Sequence, residues 1–142
     1  MMTISKDIKF DCAHMLSNYD GKCANLHGHT YHGRVTIQGE IDAETCMLLD
    51  YNKIKEVVDA FDHAVIFSDS KNRATAEEVL LEWTTRYGMK KVVLRSGKST
   101  AECMAQYICT LFTSRLPIGT NITVRLSETD GSFAEASTCV SR

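Results

Sequence analysis

KCANLHGHTYHGRVTIQGE, residues 22 to 40, decides the fold, because its second half reads in twos. Val35 and Ile37 alternate with Arg34, Thr36 and Gln38, the period of a strand that buries one face. Upstream, Ile8, Phe10 and Cys12 alternate with Lys9 and Asp11 in the same way, and His14 continues the buried set. Only a polar turn, SNYDGK, separates the two segments, so they are predicted to pair as neighbouring strands.

Helical spacing takes over further along. Asp50 can cap a helix whose apolar stripe is Ile54, Val57, Val58 and Phe61, which leaves Asp62-His63 at its end. TAEE, 75 to 78, reads as a capping box ahead of Val79, Leu80, Trp83 and Tyr87 on one helical face, with Gly88 as the stop. KVVLR, Lys91 to Arg95, is a short strand. STAE, 99 to 102, reads as a second capping box ahead of Met104, Tyr107, Ile108, Leu111 and Phe112. NITVRLSE supplies the last strand, with Ile122, Val124 and Leu126 facing inward. The order β-β-α-α-β-α-β, starting from two strands on a short connection, predicts an α+β fold. An antiparallel sheet with helices on one face fits it better than an alternating parallel one.

A chain of 142 residues with one proline and no low-complexity stretch is read as one domain over 1–142. The formal charge of −2 offers no basic surface for nucleic acid or anionic membrane. No apolar run approaches the roughly 20 residues of a membrane-spanning helix. MMTISKDIKFDCAH lacks a long apolar secretory stretch, and the six cysteines form no CxxC pair. A cytoplasmic location with free thiols is expected.

Three of the five histidines lie within the quoted stretch. His27 and His29 stand two apart on a strand and so project from one side, while His32 has the opposite parity. His14 ends the buried face of the neighbouring strand. Three imidazoles from two paired strands suit Zn2+ and leave a fourth position open for water or substrate. The alternative is a polar strand entry with ordinary hydrogen-bonded histidines. Cys23 lies in a Gly/Lys turn four residues before His27, where Lys22 and a nearby dication would favour the thiolate; without the HGH that follows, it would read as a surface cysteine. Asp62-His63 alone would read as an ordinary helix end. Glu128 continues the inward parity of Leu126, so it needs either an internal Arg or Lys or a ligand that donates hydrogen bonds.

Taken in order, FDCAH with His14, CANLHGH from Cys23 to His29, LLDYNKIK around Asp50, FDHAVI around Asp62 and His63, STAECMA around Thr100 and LSET around Glu128 resemble the 6-pyruvoyl-tetrahydropterin synthase family. The resemblance covers nearly the whole chain. The C-x3-HGH spacing is similar to the branch that makes 6-carboxy-5,6,7,8-tetrahydropterin. The resemblance implies zinc on His14, His27 and His29, with Cys23 as the proton-transferring thiol and Asp62 and His63 as a second acid–base pair. It implies Glu128 on the amidine-like edge of a pterin ring, with Thr100 beside that ring. It also implies the tunnelling fold, whose sheets assemble into a barrel, as a homohexamer of two stacked trimers. The implied reaction is a lyase step in queuosine-type deazapurine synthesis, from 7,8-dihydroneopterin triphosphate to 6-carboxytetrahydropterin, acetaldehyde and triphosphate. Three other readings of the same residues are a pyruvoyl product, an aldolase-like activity on unphosphorylated dihydroneopterin, and a non-catalytic zinc- or pterin-binding protein. Two features depart from the family pattern: Ser99 stands where proline is usual, and the stretch from 68 to 98 is longer than in compact members.

Overall fold

A computed structural model describes residues 1–142. β1 (Met2–His14) and β2 (His27–Gly39) pair antiparallel along their whole length, with Met2 opposite Gly39 and His14 opposite His27. Then follow α1 (Tyr51–Asp59), β3 (Ala64–Phe67), α2 (Thr75–Arg86), β4 (Lys91–Val93), α3 (Ala101–Thr113), β5 (Asn121–Ser127) and β6 (Ala134–Cys139). One six-stranded sheet holds all the strands in the order β4-β3-β1-β2-β5-β6.

The antiparallel body is β1, β2, β5 and β6, of which β1, β2 and β5 were expected. Two strands were not legible in the sequence. β3 is four residues, AVIF, an apolar run too short to tell from the tail of a helix. β6, AEASTC, presents only small inward side chains and has little strand propensity of its own. β3 and β4 join the sheet in parallel through crossovers that contain α1 and α2, so the sheet is mixed.

α1 and α3 cover one face of the sheet and close the core around Phe10, Tyr31, Phe61, Ile108 and Phe112, all essentially inaccessible. The opposite face is polar and self-paired: Arg34 bonds Asp7 at 2.7 Å, Arg125 bonds Glu135 at 2.9 Å, and Ser5 and Thr123 reach Thr36 and Ser137. At Gly33 β2 leaves no room for a side chain against β5, since a Cβ there would stand 1.9 Å from the carbonyl oxygen of Arg125. No helix is long and apolar enough to cross a membrane.

The helix starts only partly follow the sequence pattern. Asp50 caps α1 as expected, accepting from the Asn52 N–H at 2.8 Å. α3 is capped one residue later than STAE suggested, by Thr100, which accepts from the Cys103 N–H at 3.3 Å. α2 has no side-chain cap; Ala74 occupies that position, and Glu78 turns to Arg73 at 2.7 Å. Its expected inner face is outside: Val79, Trp83 and Tyr87 are each about half exposed, and the buried positions are Glu77 and Thr84. The reason is hydrogen bonding. Glu77 is drawn inward by donors from two other segments, and that rotates the apolar stripe toward solvent. Gly88 ends α2 in the left-handed region, φ 64°, as its position predicted.

Candidate metal centre

Register builds the site. His14 lies directly across from His27, and His29 lies across from Cys12, two residues along the same face. The ligand nitrogens of His14, His27 and His29 all lie within 4.8 Å of one another. The rings meet at centroid separations of 4.6, 4.8 and 5.3 Å. His32 is on the opposite, polar face, as its parity required.

Backbone carbonyls fix the orientation of two of these rings. His14 Nδ1 donates to the Ser99 carbonyl, and His27 Nδ1 donates to the Asn25 carbonyl at 2.6 Å. A carbonyl can only accept, so both neutral rings carry their proton on Nδ1 and present a lone pair at Nε2. Those two Nε2 atoms face each other at 3.1 Å with no proton to share. His29 Nε2 is buried and has no hydrogen-bond partner at all. Burial pushes the His14 pKa down, which keeps its ring neutral. Two lone pairs facing each other without a donor, beside a third buried ring nitrogen that has no partner, are what a cation satisfies. The three histidines therefore form a group that can hold a metal ion.

Glu128 follows β5 and points inward as its parity predicted. No Arg or Lys reaches it. Its oxygens lie 3.7 Å from His14 Nε2 and 4.0 Å from His29 Nε2, and it accepts from the Tyr31 hydroxyl at 3.2 Å. Burial, with help from Cys12, Glu128 and Cys23, pushes the Tyr31 pKa far above its ordinary value, so Tyr31 stays a donor. Cys23 forms a single 3-10 turn with Lys22 and Ala24, and its carbonyl accepts from the Leu16 N–H at 2.9 Å, which ties the turn to the end of β1. Cys12, on the buried face opposite His29, is a different case. Desolvation, then Glu128, pushes its thiol up to about 12.

Asp62 and His63 sit between β1 and β3. Asp62 accepts from the Asp11 N–H and from His63 Nδ1, both at 2.9 Å, and the His63 N–H donates to the Asp11 carbonyl at 2.6 Å. The Asp11 N–H, then His63, hold the Asp62 carboxyl below its usual range. His63 adopts a left-handed φ of 59°, and its side chain is 76% exposed. Within one chain the pair makes no hydrogen bond or ion pair with the triad. The Thr100 hydroxyl oxygen is used in capping α3, and its neighbour Ser99 touches the triad. Asn25 and Tyr31 carry no signal of a site role in the sequence, and Ser99 stands out there only as a cap and as a departure from the family pattern. Ser99 and Asn25 act through backbone carbonyls, which carry no residue signature, whereas Tyr31 shares the parity of His27 and His29.

Solved structures share this architecture. A Caenorhabditis elegans 6-pyruvoyl tetrahydropterin synthase matches 96% of the chain and 95% of its own, with a TM-score of 0.60 at 24% identity. The Plasmodium vivax 6-pyruvoyl tetrahydropterin synthase matches 98% and 99%, also at 0.60, with 18% identity. The chain thus has the tunnelling fold, with a three-histidine group at one end of its central strand pair. The 6-pyruvoyl tetrahydropterin synthase family model matches residues 3–139, and the chain belongs to that family. Among its relatives, the 6-carboxy-5,6,7,8-tetrahydropterin synthase of Haemophilus influenzae is 34% identical over 95% of this chain and 98% of its own. The Rickettsia bellii protein of the same name is 29% identical over 95% and 99%.

Proposed function

We propose that this chain is a zinc-dependent 6-carboxy-5,6,7,8-tetrahydropterin synthase. It converts 7,8-dihydroneopterin triphosphate and a molecule of water to 6-carboxytetrahydropterin, acetaldehyde and triphosphate, in cytoplasmic queuosine-type deazapurine synthesis. The observation that carries this reading is the meeting of three imidazoles beside Glu128, two of them with Nε2 lone pairs turned toward each other. The names of the relatives support the carboxy product over the pyruvoyl one.

His14, His27 and His29 hold the metal, which when bound supplies Lewis acidity toward the substrate's side-chain hydroxyls. Glu128, kept in place by Tyr31, accepts hydrogen bonds from the amidine-like edge of the pterin. Thr100 offers its O–H beside the ring while its oxygen caps α3. Cys23 as thiolate moves protons between side chain and ring. Asp62 engages Nδ1 of His63, leaving the other ring nitrogen free for the second proton transfer. The exposure of that dyad, the polar sheet face and the open edges at β4 and β6 favour assembly of the sheets into a barrel, as two stacked trimers. Neighbouring copies would then complete each site.

The deciding experiment incubates the zinc-loaded protein with dihydroneopterin triphosphate and identifies the pterin by mass and the aldehyde by trapping. 6-Carboxytetrahydropterin with acetaldehyde is the expected result. A pyruvoyl product, or no loss of substrate, overturns the assignment.

A further inference from the structure

Glu77 is completely buried. It sits in the first turn of α2, within the long 68–98 stretch, and no lysine or arginine pairs with it. Arg73 is close in sequence but is spent elsewhere, on the Glu78 carboxylate and the Ser68 carbonyl, each at 2.7 Å. A buried carboxylate without a cation is costly unless its oxygens are fully engaged. Here they are. One oxygen accepts from the Ser68 N–H at 2.7 Å and the other from the Ser17 hydroxyl, whose oxygen in turn accepts from the Ala74 N–H at 2.9 Å.

The chain of bonds does not stop there. The Ser68 hydroxyl oxygen accepts from the Ser99 N–H at 3.1 Å, and the Ser99 hydroxyl donates to the Met15 carbonyl at 3.2 Å. The Ser99 carbonyl is the group that receives His14 Nδ1. Ser99 and Ser68 are themselves completely buried, so no water replaces these links. A proline at 99 would have no N–H to give Ser68. In this chain the serine connects the helix of the 68–98 stretch to an imidazole of the triad.

We propose, on the reading of the triad as a metal centre given above, that Glu77 is a positioning residue for His14. Glu77 anchors Ser68, Ser68 holds the Ser99 backbone, and the Ser99 carbonyl fixes the tautomer and ring angle at which His14 presents Nε2. Groups of this kind typically alter metal affinity by 10- to 100-fold when changed. A purely structural role would lower the melting temperature and leave affinity and ligand geometry alone.

The test strips the full-length protein with a chelator and titrates it with cobalt(II). Visible d–d absorption reports ligand geometry, and zinc affinity follows from competition with a chelating indicator. Glu77→Gln is expected to weaken both metals on the order of tenfold and to alter the cobalt spectrum. Glu82→Gln, on the solvent side of the same helix, should match the parent. Parent-like affinity and spectrum in Glu77→Gln overturn the proposal. If that variant does not fold, Ser68→Ala decides, since it removes only the acceptor of the Ser99 N–H; unchanged affinity there overturns the proposal equally. A parent protein that takes up no cobalt overturns the metal centre itself, and the role of Glu77 with it.

Discussion

His14 Nε2 and His27 Nε2 stand 3.1 Å apart with both Nδ1 protons already committed to backbone carbonyls. Two lone pairs at that distance repel until a cation lies between them. His14→Ala and His27→Ala are each expected to lower zinc affinity by at least about 100-fold, the upper end of what indirect partners achieve. Metal content after dialysis and calorimetric titration check this. Zinc at 100 times the parent's dissociation constant should stabilise the parent by about 2.7 kcal/mol and the variants by no more than about 0.4 kcal/mol.

Cys23 and Cys12 should behave oppositely. Cys23→Ala is expected to retain metal and fold while turnover falls on the order of 100- to 10,000-fold. Cys12, held at about 12 by burial, should resist iodoacetamide at pH 8 in the folded protein, as should Cys109, pushed up to about 11 by burial. Mass mapping of the alkylated sites and steady-state rates give both answers.

Gly33 is a packing test independent of chemistry. A methyl at this position would collide with the Arg125 backbone rather than with a side chain that could swing away. Gly33→Ala should cost on the order of 3 kcal/mol by parting β2 from β5. Urea denaturation measures the loss.

Acid should loosen the loops beneath the triad. Asp69 accepts from the Gly97 N–H at 2.7 Å and from Asn72 at 2.8 Å, tying the loop before α2 to the one that carries Ser99. Asn72 first, then the Gly97 N–H, holds its carboxyl below the ordinary value. A carboxyl lowered by folding contributes its stability in full above the unfolded value near 3.9, and loses it as pH falls through the folded one. Asp69→Asn should be less stable than the parent at pH 7, and the gap between them should be narrower at about pH 3. Paired urea curves at the two pH values check the sign.

The sequence made β1, β2 and the histidine register legible because a two-residue period leaves no freedom once one face is buried. Knowing that Ile8, Phe10 and Cys12 face inward fixes His14, and knowing Val35 and Ile37 fixes His29 and His27. β3 and β6 had no such signal, since their place comes from neighbouring backbones. α2 misled for a physical reason: Val79, Trp83 and Tyr87 form a sound helical stripe, yet the hydrogen bonds of Glu77 outweigh it in orienting the helix within one chain. The carbonyls of Ser99 and Asn25 were invisible because every residue has one.

Trp83 is the chain's single tryptophan, half in water and 5.5 Å from the Tyr87 ring, on the helix that carries Glu77. The molecule thus contains its own fluorophore at an informative spot. Its emission reads the surroundings of α2 and nothing else, so a blue shift on concentration reports that another copy has covered this helix, and a shift on metal addition reports that the metal centre and the helix communicate.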